Sequence, residues 1–340
     1  MPEYLEFKSL IEVNPMTLIL TRQDVVEVLV MKDCIDMLEK AFSEFSNGTA
    51  VLPLRIGIPA PDGINLYMPA YLKELNALAC KVVSVYKSNP QKHNLPTTIG
   101  KVLLQDAETG DVLSIMDGGY LTAVRTGAVS GLATKYLARD DKNQVAAIFG
   151  AGVQAQMQLW GIYEARSISR ALVYDVVPKA AENFAETMSQ KLNIPIDVCR
   201  SEAEMLEADI ICTATSSATP IFDGRLIKPG THINGIGSHS PKARELDTVI
   251  IQRSLLIADS REACLSEAGD IMLPIQEGAI TPEHIYADLG EIVTGKIPGR
   301  SHPDQITLFK SNGLAIQDAA TAKLVYEKAK AVGLGVNLNI

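Results

Sequence analysis

The chain has 340 residues, 47% hydrophobic and 21% charged, a composition typical of a globular α/β protein long enough for two domains. Its formal net charge of −9 argues against a nucleic acid or an anionic membrane as partner, because there is no basic excess to neutralise phosphates. The five cysteines form no CxxC pair and the histidines show no metal-ligand spacing. We therefore expect a reducing, cytoplasmic location and no metal site.

No segment is predicted to target or cross a membrane. The N-terminal residues carry acids early and lack a basic-then-apolar order, so we expect no signal peptide. The uncharged window 143–163 is too rich in Asn, Gln and Gly for a spanning helix.

Two helices are predicted near the start of the chain. Thr21 is expected to cap the first helix, with Asp24, three residues on, as the acid of a capping box. The run 31–47 predicts a second helix, which stops at Gly48.

Strand-like runs separated by turns dominate the next part of the chain. The last of them, residues 99–118, is typical of a hairpin that turns at 107–110. The run 120–138 then predicts a helix with a stripe of small residues, suited to close packing.

From Val145 onward, strand-like and helical runs alternate regularly. This alternation predicts an α/β fold with a parallel, doubly wound sheet. The run 313–333 predicts one amphipathic helix at the end of the chain. The strands of the parallel sheet are predicted at 145–149, 171–175, 195–199, 209–213, 231–236 and 254–258.

The sequence "QVAAIFGAGVQAQMQLWG" contains a dinucleotide-binding fingerprint between a strand and a helix. Gly150 permits the tight turn, Gly152 lets the backbone approach a pyrophosphate, and Ala155 keeps the helix close to the strand. Asp175, at the end of the second strand, is placed to bond the ribose 2′-hydroxyl and would repel a 2′-phosphate. The fingerprint predicts NAD(H) in preference to NADP(H); the alternative is a glycine-rich turn without a ligand.

Several stretches of the chain resemble the ornithine cyclodeaminase/mu-crystallin family. They include "MPAYL", "CKVVSVY", "GTHINGIGSHSP" and "FKSNGLAIQDAATAKLVYEKA". The resemblance implies a homodimer in which an NAD(P)-binding Rossmann domain is inserted into an α+β substrate and dimerisation domain. On this basis we expect the substrate domain at 1–127 plus 310–340 and the Rossmann domain at 128–309.

Three cations are candidates for binding the α-carboxylate of a small substrate. Lys81 interrupts an apolar strand-like run, where a lysine is costly unless it meets an anion. Arg125 lies among small residues, and Arg55 is flanked by apolar ones. The resemblance implies that all three bind the carboxylate; the alternative for each is an ion pair or a side chain that reaches solvent.

The resemblance also suggests that Thr126 contacts the phosphate or the nicotinamide side of the cofactor. Asp318 matches a family position near the active site, although an acid at a helix start explains it equally well. The predicted cofactor-binding residues are Thr126, Gly150, Gly152, Val153, Gln154, Ala155, Asp175, Thr215 and Gly237.

Two positions depart from the ornithine cyclodeaminases, which have acids near them. Here His239 and Leu66 occupy these positions, so the ω-ammonium of ornithine would find no carboxylate and would be costly to desolvate. Leu66 and Tyr67 are instead candidates for an apolar wall around a substrate ring. His239 is a candidate proton donor, as is Lys81; a loop histidine packing near the nicotinamide is the alternative.

These observations favour an NADH-dependent imino-acid (ketimine) reductase acting on a small cyclic imine carboxylate such as 1-pyrroline-2-carboxylate. Alanine dehydrogenases, which form the same bond from pyruvate and ammonia, also belong to the family that the chain resembles. The alternatives are an ornithine cyclodeaminase with tightly bound NAD⁺, an alanine dehydrogenase, and a non-catalytic protein that binds a small ligand.

Overall fold

The computed structural model describes residues 16–339, which contain two eight-stranded sheets. Sheet 1 is formed by β1 (Thr17–Leu20), β2 (Ala50–Val51), β3 (Ile56–Ala60), β4 (Gly63–Leu72), β5 (Ala77–Val85), β6 (Thr98–Gln105), β7 (Val112–Asp117) and β16 (Val336–Leu338). Sheet 2 is formed by β8 (Gln144–Phe149), β9 (Ile168–Tyr174), β10 (Ile196–Val198), β11 (Ile210–Thr213), β12 (His232–Gly235), β13 (Leu255–Ala258), β14 (Ile285–Asp288) and β15 (Thr307–Lys310).

Twelve α-helices accompany these sheets in the described part of the chain. They are α1 (Arg22–Val28), α2 (Met31–Asn47), α3 (Asn89–Lys92), α4 (Gly118–Leu137), α5 (Val153–Ala165), α6 (Pro178–Leu192), α7 (Glu202–Met205), α8 (Thr248–Arg253), α9 (Arg261–Glu267), α10 (Gly269–Gln276), α11 (Leu289–Val293) and α12 (Ala315–Val332). Within residues 16–339, no helix is long and apolar enough to cross a lipid bilayer.

Sheet 1 is mostly antiparallel, with the strand order β16-β1-β7-β6-β5-β4-β2; β3 also pairs with β4. Its last strand, β16, comes from the C-terminal end of the chain and pairs with β1. The predicted hairpin is confirmed as β6 and β7. The return of the C-terminal segment to the first sheet agrees with what the family resemblance implied.

Sheet 2 is parallel throughout, with the strand order β10-β9-β8-β11-β12-β15-β13-β14. The order reverses between β8 and β11, as in a Rossmann fold. All six predicted strands are present, with ends shifted by at most three residues. The strands β14 and β15, of four residues each, were not predicted.

The small residues of α4 permit close packing against α5, as predicted. A Cβ atom added at Gly127 would lie 2.2 Å from the carbonyl oxygen of Met157, and one added at Gly161 would lie 2.0 Å from that of Gly127. No side chain fits at these points, so the backbones of the two helices approach directly. Helix α4 continues unbroken across residues 127 and 128, and the predicted division into domains at that point stays a prediction.

The local signals at the first two helices are confirmed. The Thr21 hydroxyl accepts a hydrogen bond from the Asp24 backbone N–H, and the Asp24 carboxylate accepts one from the Thr21 N–H. Gly48 ends α2 with a φ of 75°. The last helix is present as α12, but the prediction that it is amphipathic is wrong. Residues Ala315 to Ala322 are all buried, because this half of the helix packs against sheet 1, α2 and α4.

Candidate functional site

A cavity of about 310 Å³ lies between the inner face of sheet 1 and the carboxyl ends of the strands of sheet 2. This edge of a doubly wound sheet is where ligands bind, at the point where the strand order reverses. The lining residues are Arg55, Leu66, Met68, Lys81, Val83, Val85, Thr98, Thr122, Arg125, Thr126, Gln154, Ala214, Thr215, Ile236, Gly237, His239, Ser311, Asn312 and Gly313.

Two buried cations at this cavity share one carboxylate. Lys81 on β5 and Arg125 on α4 both pair with Asp318 on α12: the Lys81 Nζ lies 2.7 Å from Oδ2, and the Arg125 Nε lies 3.0 Å from Oδ1. The Arg125 Nη1 donates a 2.6 Å hydrogen bond to the Oε1 of Gln317. All three charged side chains are at least 94% buried. Two positive charges against one negative charge leave this cluster able to bind an anion.

Both cations have N–H groups without an acceptor among the described residues. Among residues 16–339, the Arg125 Nη2 has no acceptor, and the Lys81 ammonium has three N–H bonds but pairs only with Asp318. Gly313 makes room here: its φ is +82°, and a Cβ atom added to it would lie 2.7 Å from the Arg125 Nη1. A small acid can therefore approach both cations from the cavity.

Burial lowers the pKa of Lys81 from 10.5 to about 8. The neighbouring positive charge of Arg125 acts in the same direction, while Asp318 partly opposes the shift. Lys81 is thus a cation at neutral pH that can release a proton more readily than an exposed lysine.

Arg55 lies at the same cavity but is held differently. Its Nη2 pairs with the Oε2 of Glu267 at 3.0 Å and donates to the carbonyl oxygens of Gly313 at 2.8 Å and Asn312 at 3.3 Å. The side chain is 21% exposed, more than that of Lys81 or Arg125. Arg55 therefore contributes a positive charge at the rim of the cavity and is partly neutralised by Glu267.

An apolar wall adjoins the cations. Leu66 and Met68 on β4, with Val83 and Val85 on β5, lie on the inner face of sheet 1. Tyr67 does not line the cavity, and its place in the predicted wall is wrong, since successive residues of a strand face opposite sides of the sheet. The lining residues include no aspartate or glutamate.

His239 lines the cavity as an exposed residue of the loop after β12. Its Nδ1 lies 3.0 Å from the carbonyl oxygen of Gly237, which requires the proton on Nδ1. Desolvation by the surrounding protein lowers the pKa of the ring, and the positive charges of Lys310 and Arg55 add to this effect, while the bond to Gly237 opposes it. This geometry favours a neutral ring whose Nε2 accepts, rather than donates, a proton.

The fingerprint turn has the geometry that a dinucleotide requires. Gly150 has a φ of +98°, and a Cβ atom added to it would lie 2.6 Å from the carbonyl oxygen of Ala214. At Gly152, by contrast, a Cβ atom would project into open space at the N-terminus of α5. The Oε1 of Gln154, in the first turn of α5, is buried without a hydrogen-bond partner among the described residues. The turn therefore leaves room for a pyrophosphate and offers it the N-terminus of a helix.

Asp175 follows β9 and lies beside this turn. Its Oδ2 accepts a 2.8 Å hydrogen bond from the Ala151 N–H, and its Oδ1 accepts one of 2.8 Å from the Val177 N–H. Each oxygen retains a lone pair for a ribose hydroxyl. Of the other two predicted cofactor residues outside the cavity, Ala155 is fully buried between helix and sheet, and Val153 is 58% exposed at the start of α5.

The structure thus brings together nine of the predicted site residues around one cavity: Arg55, Leu66, Lys81, Arg125, Thr126, Gln154, Thr215, Gly237 and His239. Sequence reasoning left Asp318 undecided and missed Asn312 and Gln317. Asn312 has both polar side-chain atoms buried without a partner in the described part of the chain. All three lie in the stretch "FKSNGLAIQDAA", whose resemblance to the family was the available signal.

The comparisons with known proteins agree with this geometry. The chain is 49% identical to the Thermococcus litoralis Δ1-pyrroline-2-carboxylate reductase, solved with NADH and L-proline; the match covers 95% of this chain and 100% of the other, with a TM-score of 0.91. A Bacillus cereus Δ1-pyrroline-2-carboxylate reductase is 37% identical over 94% of this chain and 98% of its own.

An archaeal alanine dehydrogenase dimer with bound NAD is 34% identical, with a TM-score of 0.90 and coverage of 95% of this chain and 99% of the other. These structures confirm the predicted α/β fold with a Rossmann domain. Residues 16–333 match the ornithine cyclodeaminase/mu-crystallin family over nearly the whole chain. With a Rossmann turn, a cationic cavity and these relatives all in agreement, the chain belongs to the ornithine cyclodeaminase/mu-crystallin family.

Proposed function

We propose that this protein is an NADH-dependent imino-acid (ketimine) reductase that acts on a small cyclic imine carboxylate such as 1-pyrroline-2-carboxylate and forms an L-amino acid. The observation that carries the proposal is a cavity with three cations, an apolar wall and no acidic lining residue, next to the dinucleotide turn. The relatives confirm the predicted enzyme class, an NAD(H)-dependent oxidoreductase acting on imino or amino acids.

Lys81 and Arg125 bind the substrate carboxylate in this proposal. Asp318 holds both cations in place and keeps part of their charge balanced before the substrate arrives. The ring methylenes of the substrate pack against Leu66 and Val83, which exclude water from that side. NADH, when bound, supplies the hydride, and positioning of the imine carbon accounts for most of the rate enhancement.

The pKa values and hydrogen bonds of the two candidate residues favour Lys81 over His239 as the group that exchanges a proton with the substrate nitrogen. Lys81 is a buried cation with a pKa of about 8, whereas the pKa of His239 is lowered and its Nδ1–H group donates a hydrogen bond to the Gly237 carbonyl oxygen. A group whose pKa lies near the working pH serves proton transfer best.

The lining of the cavity argues against ornithine as the substrate. A diamino acid would bring an ω-ammonium group beside Leu66 and His239, and neither offers a carboxylate. An unpaired ammonium group in this environment costs several kcal/mol. A ring without a distal charge has no such cost.

A panel of substrates tests the proposal. The purified protein is mixed with NADH and, separately, 1-pyrroline-2-carboxylate, 1-piperideine-2-carboxylate, and pyruvate plus ammonia, and the loss of NADH absorbance is followed. In parallel, ornithine is supplied with NAD⁺ and ammonia release is measured. We expect the highest kcat/KM with a cyclic imine. Ammonia release from ornithine without net NADH change would instead identify a cyclodeaminase, and tight substrate binding without any turnover would identify a binding protein.

NADH is proposed as the preferred cofactor over NADPH. The carboxylate of Asp175 is fixed by the N–H groups of Ala151 and Val177 beside the fingerprint turn. A 2′-phosphate at this place would meet a negative charge, whereas a 2′-hydroxyl can donate a hydrogen bond to it.

A homodimer formed through the outer face of sheet 1 is also proposed. Ile56, Tyr67 and Val82 are cross-strand neighbours on β3, β4 and β5, and they are 59%, 37% and 40% exposed. Adjacent exposed apolar side chains of this kind mark interaction sites. Substituting Val82→Glu should convert a dimer to a monomer in sedimentation velocity, and an unchanged dimer would place the interface elsewhere.

The proposed location is the cytoplasm. The five cysteines are free, and Cys34, Cys212 and Cys264 are fully buried. Burial raises the pKa of the Cys34 thiol to about 12, so it stays protonated and unreactive.

A further inference from the structure

A buried carboxylate outside the predicted site joins the two loops at the end of the cavity. Glu245 is fully buried and accepts four hydrogen bonds. Its Oε1 accepts from the backbone N–H and the hydroxyl of Thr215, both at 2.6 Å. Its Oε2 accepts from the Gly237 N–H and the Thr213 hydroxyl, both at 2.8 Å. The carboxylate therefore ties the loop after β11 to the loop after β12.

These two loops lie on the nicotinamide side of the fold. The fingerprint turn and Asp175 belong to the half of sheet 2 that begins at β8, which binds the adenosine half of a dinucleotide. The strands β11 and β12 lie across the reversal of strand order and form the other half. Thr215 and Gly237 both line the cavity, so Glu245 lies directly behind the part of its wall that faces the nicotinamide half of the cofactor.

Two further buried charges hold Glu245 and its loop. Asp270 accepts hydrogen bonds from the backbone N–H groups of Glu245, at 2.8 Å, and Leu246, at 3.0 Å. Lys310 pairs with Asp270 at 2.8 Å and donates to the carbonyl oxygen of Ser238 at 2.6 Å. Lys310 and Asp270 are completely buried. The loop that carries Gly237 and His239 is thus fastened at several points by charged groups rather than by apolar packing.

The contacts demand a carboxylate at position 245. A glutamine of the same shape would have to place its NH₂ group either toward Thr215, 2.6 Å from a backbone N–H, or toward Gly237, 2.8 Å from another. In both orientations two donors would oppose each other, since a backbone N–H cannot accept a hydrogen bond. The loops also have no room to rearrange toward each other: a Cβ atom added at Gly237 would lie 2.4 Å from the Glu245 Oε1 and 2.4 Å from the Thr215 carbonyl oxygen.

We propose that Glu245 is a positioning residue for the nicotinamide half of the cofactor, acting through Thr215 and Gly237, and that it leaves binding of the adenosine half unaffected. The proposal rests on the proposed function, since it assumes that NADH occupies the Rossmann turn. It assigns the residue no contact with the cofactor or the substrate: its effect is to hold two backbone segments at one separation.

The test compares binding of NADH with binding of ADP-ribose, which lacks the nicotinamide ring. Both dissociation constants are measured by calorimetry for the wild-type protein and for the Glu245→Gln variant. We expect the dissociation constant for NADH to rise about tenfold or more and that for ADP-ribose to change by less than about twofold, because only the nicotinamide side loses its fixed hydrogen bonds. Glu186→Gln, an exposed change on α6, is the matched control and should bind both ligands as the wild type does.

A second variant guards against loss of the fold. Thr213→Val keeps the shape of the buried β11 side chain and removes one of the two donors to the Glu245 Oε2. It should raise the dissociation constant for NADH about threefold without changing that for ADP-ribose. Equal losses of NADH and ADP-ribose affinity in a folded variant, or unchanged NADH affinity in both variants, would overturn the positioning role. A wild-type protein that binds ADP-ribose but not NADH would instead contradict the proposed function itself.

Discussion

The dinucleotide turn and the cationic cavity are built in different ways, although they adjoin each other. The turn uses the backbone of consecutive residues, Gly150 to Gly152, and one acid 25 residues beyond its start, Asp175. The cavity takes Lys81, Arg125 and Asp318 from a strand and two helices far apart in the chain. The comparison teaches that a ligand held by backbone groups leaves a local sequence motif, whereas a ligand held by side chains leaves scattered residues whose meaning depends on the fold.

The largest effect is expected where a cation of the cavity is removed. Lys81→Ala should lower kcat/KM for the cyclic imine, because a buried charge partner of the substrate carboxylate is lost. The decrease should correspond to a loss of about 2–5 kcal/mol of transition-state stabilisation. The affinity for NADH, measured by fluorescence titration, should be almost unchanged, since Lys81 belongs to the substrate side. Arg125 still pairs with Asp318, so the variant should fold.

Lys101→Ala is the matched control for this change, because Lys101 lies on the neighbouring strand β6 with its side chain 60% exposed. It should retain wild-type kinetics. Equal losses of NADH affinity and turnover in Lys81→Ala would mean that the two regions are not separable as proposed.

Substitutions of the two glycines in the fingerprint turn are expected to have different effects on stability and on NADH binding. Gly150→Ala should lower the free energy of unfolding by about 1–3 kcal/mol, because the new methyl group meets the Ala214 carbonyl at a positive φ. Gly152→Ala should leave the melting temperature unchanged, since its Cβ atom meets no protein atom within 4 Å. It should instead weaken the binding of NADH. Thermal denaturation with and without NADH separates the two outcomes, and equal melting temperatures would contradict the geometry of the turn.

A smaller effect is expected at the acid beside the turn. Asp175→Ser should reduce the preference for NADH over NADPH by about tenfold, since the negative charge facing the ribose disappears. The ratio of kcat/KM values for the two cofactors is the measurement. An unchanged ratio would remove Asp175 from the cofactor site.

The smallest predicted effect concerns pH. The pKa of Lys81 is lowered to about 8, so its charge and its attraction for a carboxylate decrease as the pH rises through that value. Inhibition by cyclopentanecarboxylate, which has no titrating nitrogen, should weaken several-fold between about pH 7 and about pH 9. Desolvation by the surrounding protein also lowers the pKa of His239 from 6.5, which places its titration outside this window.

Lys81→Arg is the matched variant for the pH experiment, because a guanidinium keeps its charge throughout this range. Its inhibition should vary less with pH than that of the wild type. The same pH dependence in both proteins would assign the titration to another group.

Several features of the site were predictable because they are local or because they break a pattern. Lys81 was noticeable as a lysine in an apolar run, and in the structure it lies in a strand and forms an ion pair with Asp318. Leu66 and Tyr67 show the limit of such reasoning: adjacent residues were both expected at the cavity, but the pleat sends only Leu66 there. Asp318 could be interpreted either as a helix-start acid or as a site residue; it lies in the first turn of α12 and pairs with both Lys81 and Arg125.

The sequence by itself determined the helix caps, the Rossmann turn and most strands of sheet 2, because these depend on residues within a few positions of one another. Only the tertiary structure decided which carboxylate pairs with Lys81 and Arg125, that α12 is buried on all sides in its first half, and that Glu245 fastens two loops. The physical reason is that buried charges are tolerated only with partners, and those partners come from elements that approach one another after the chain has folded.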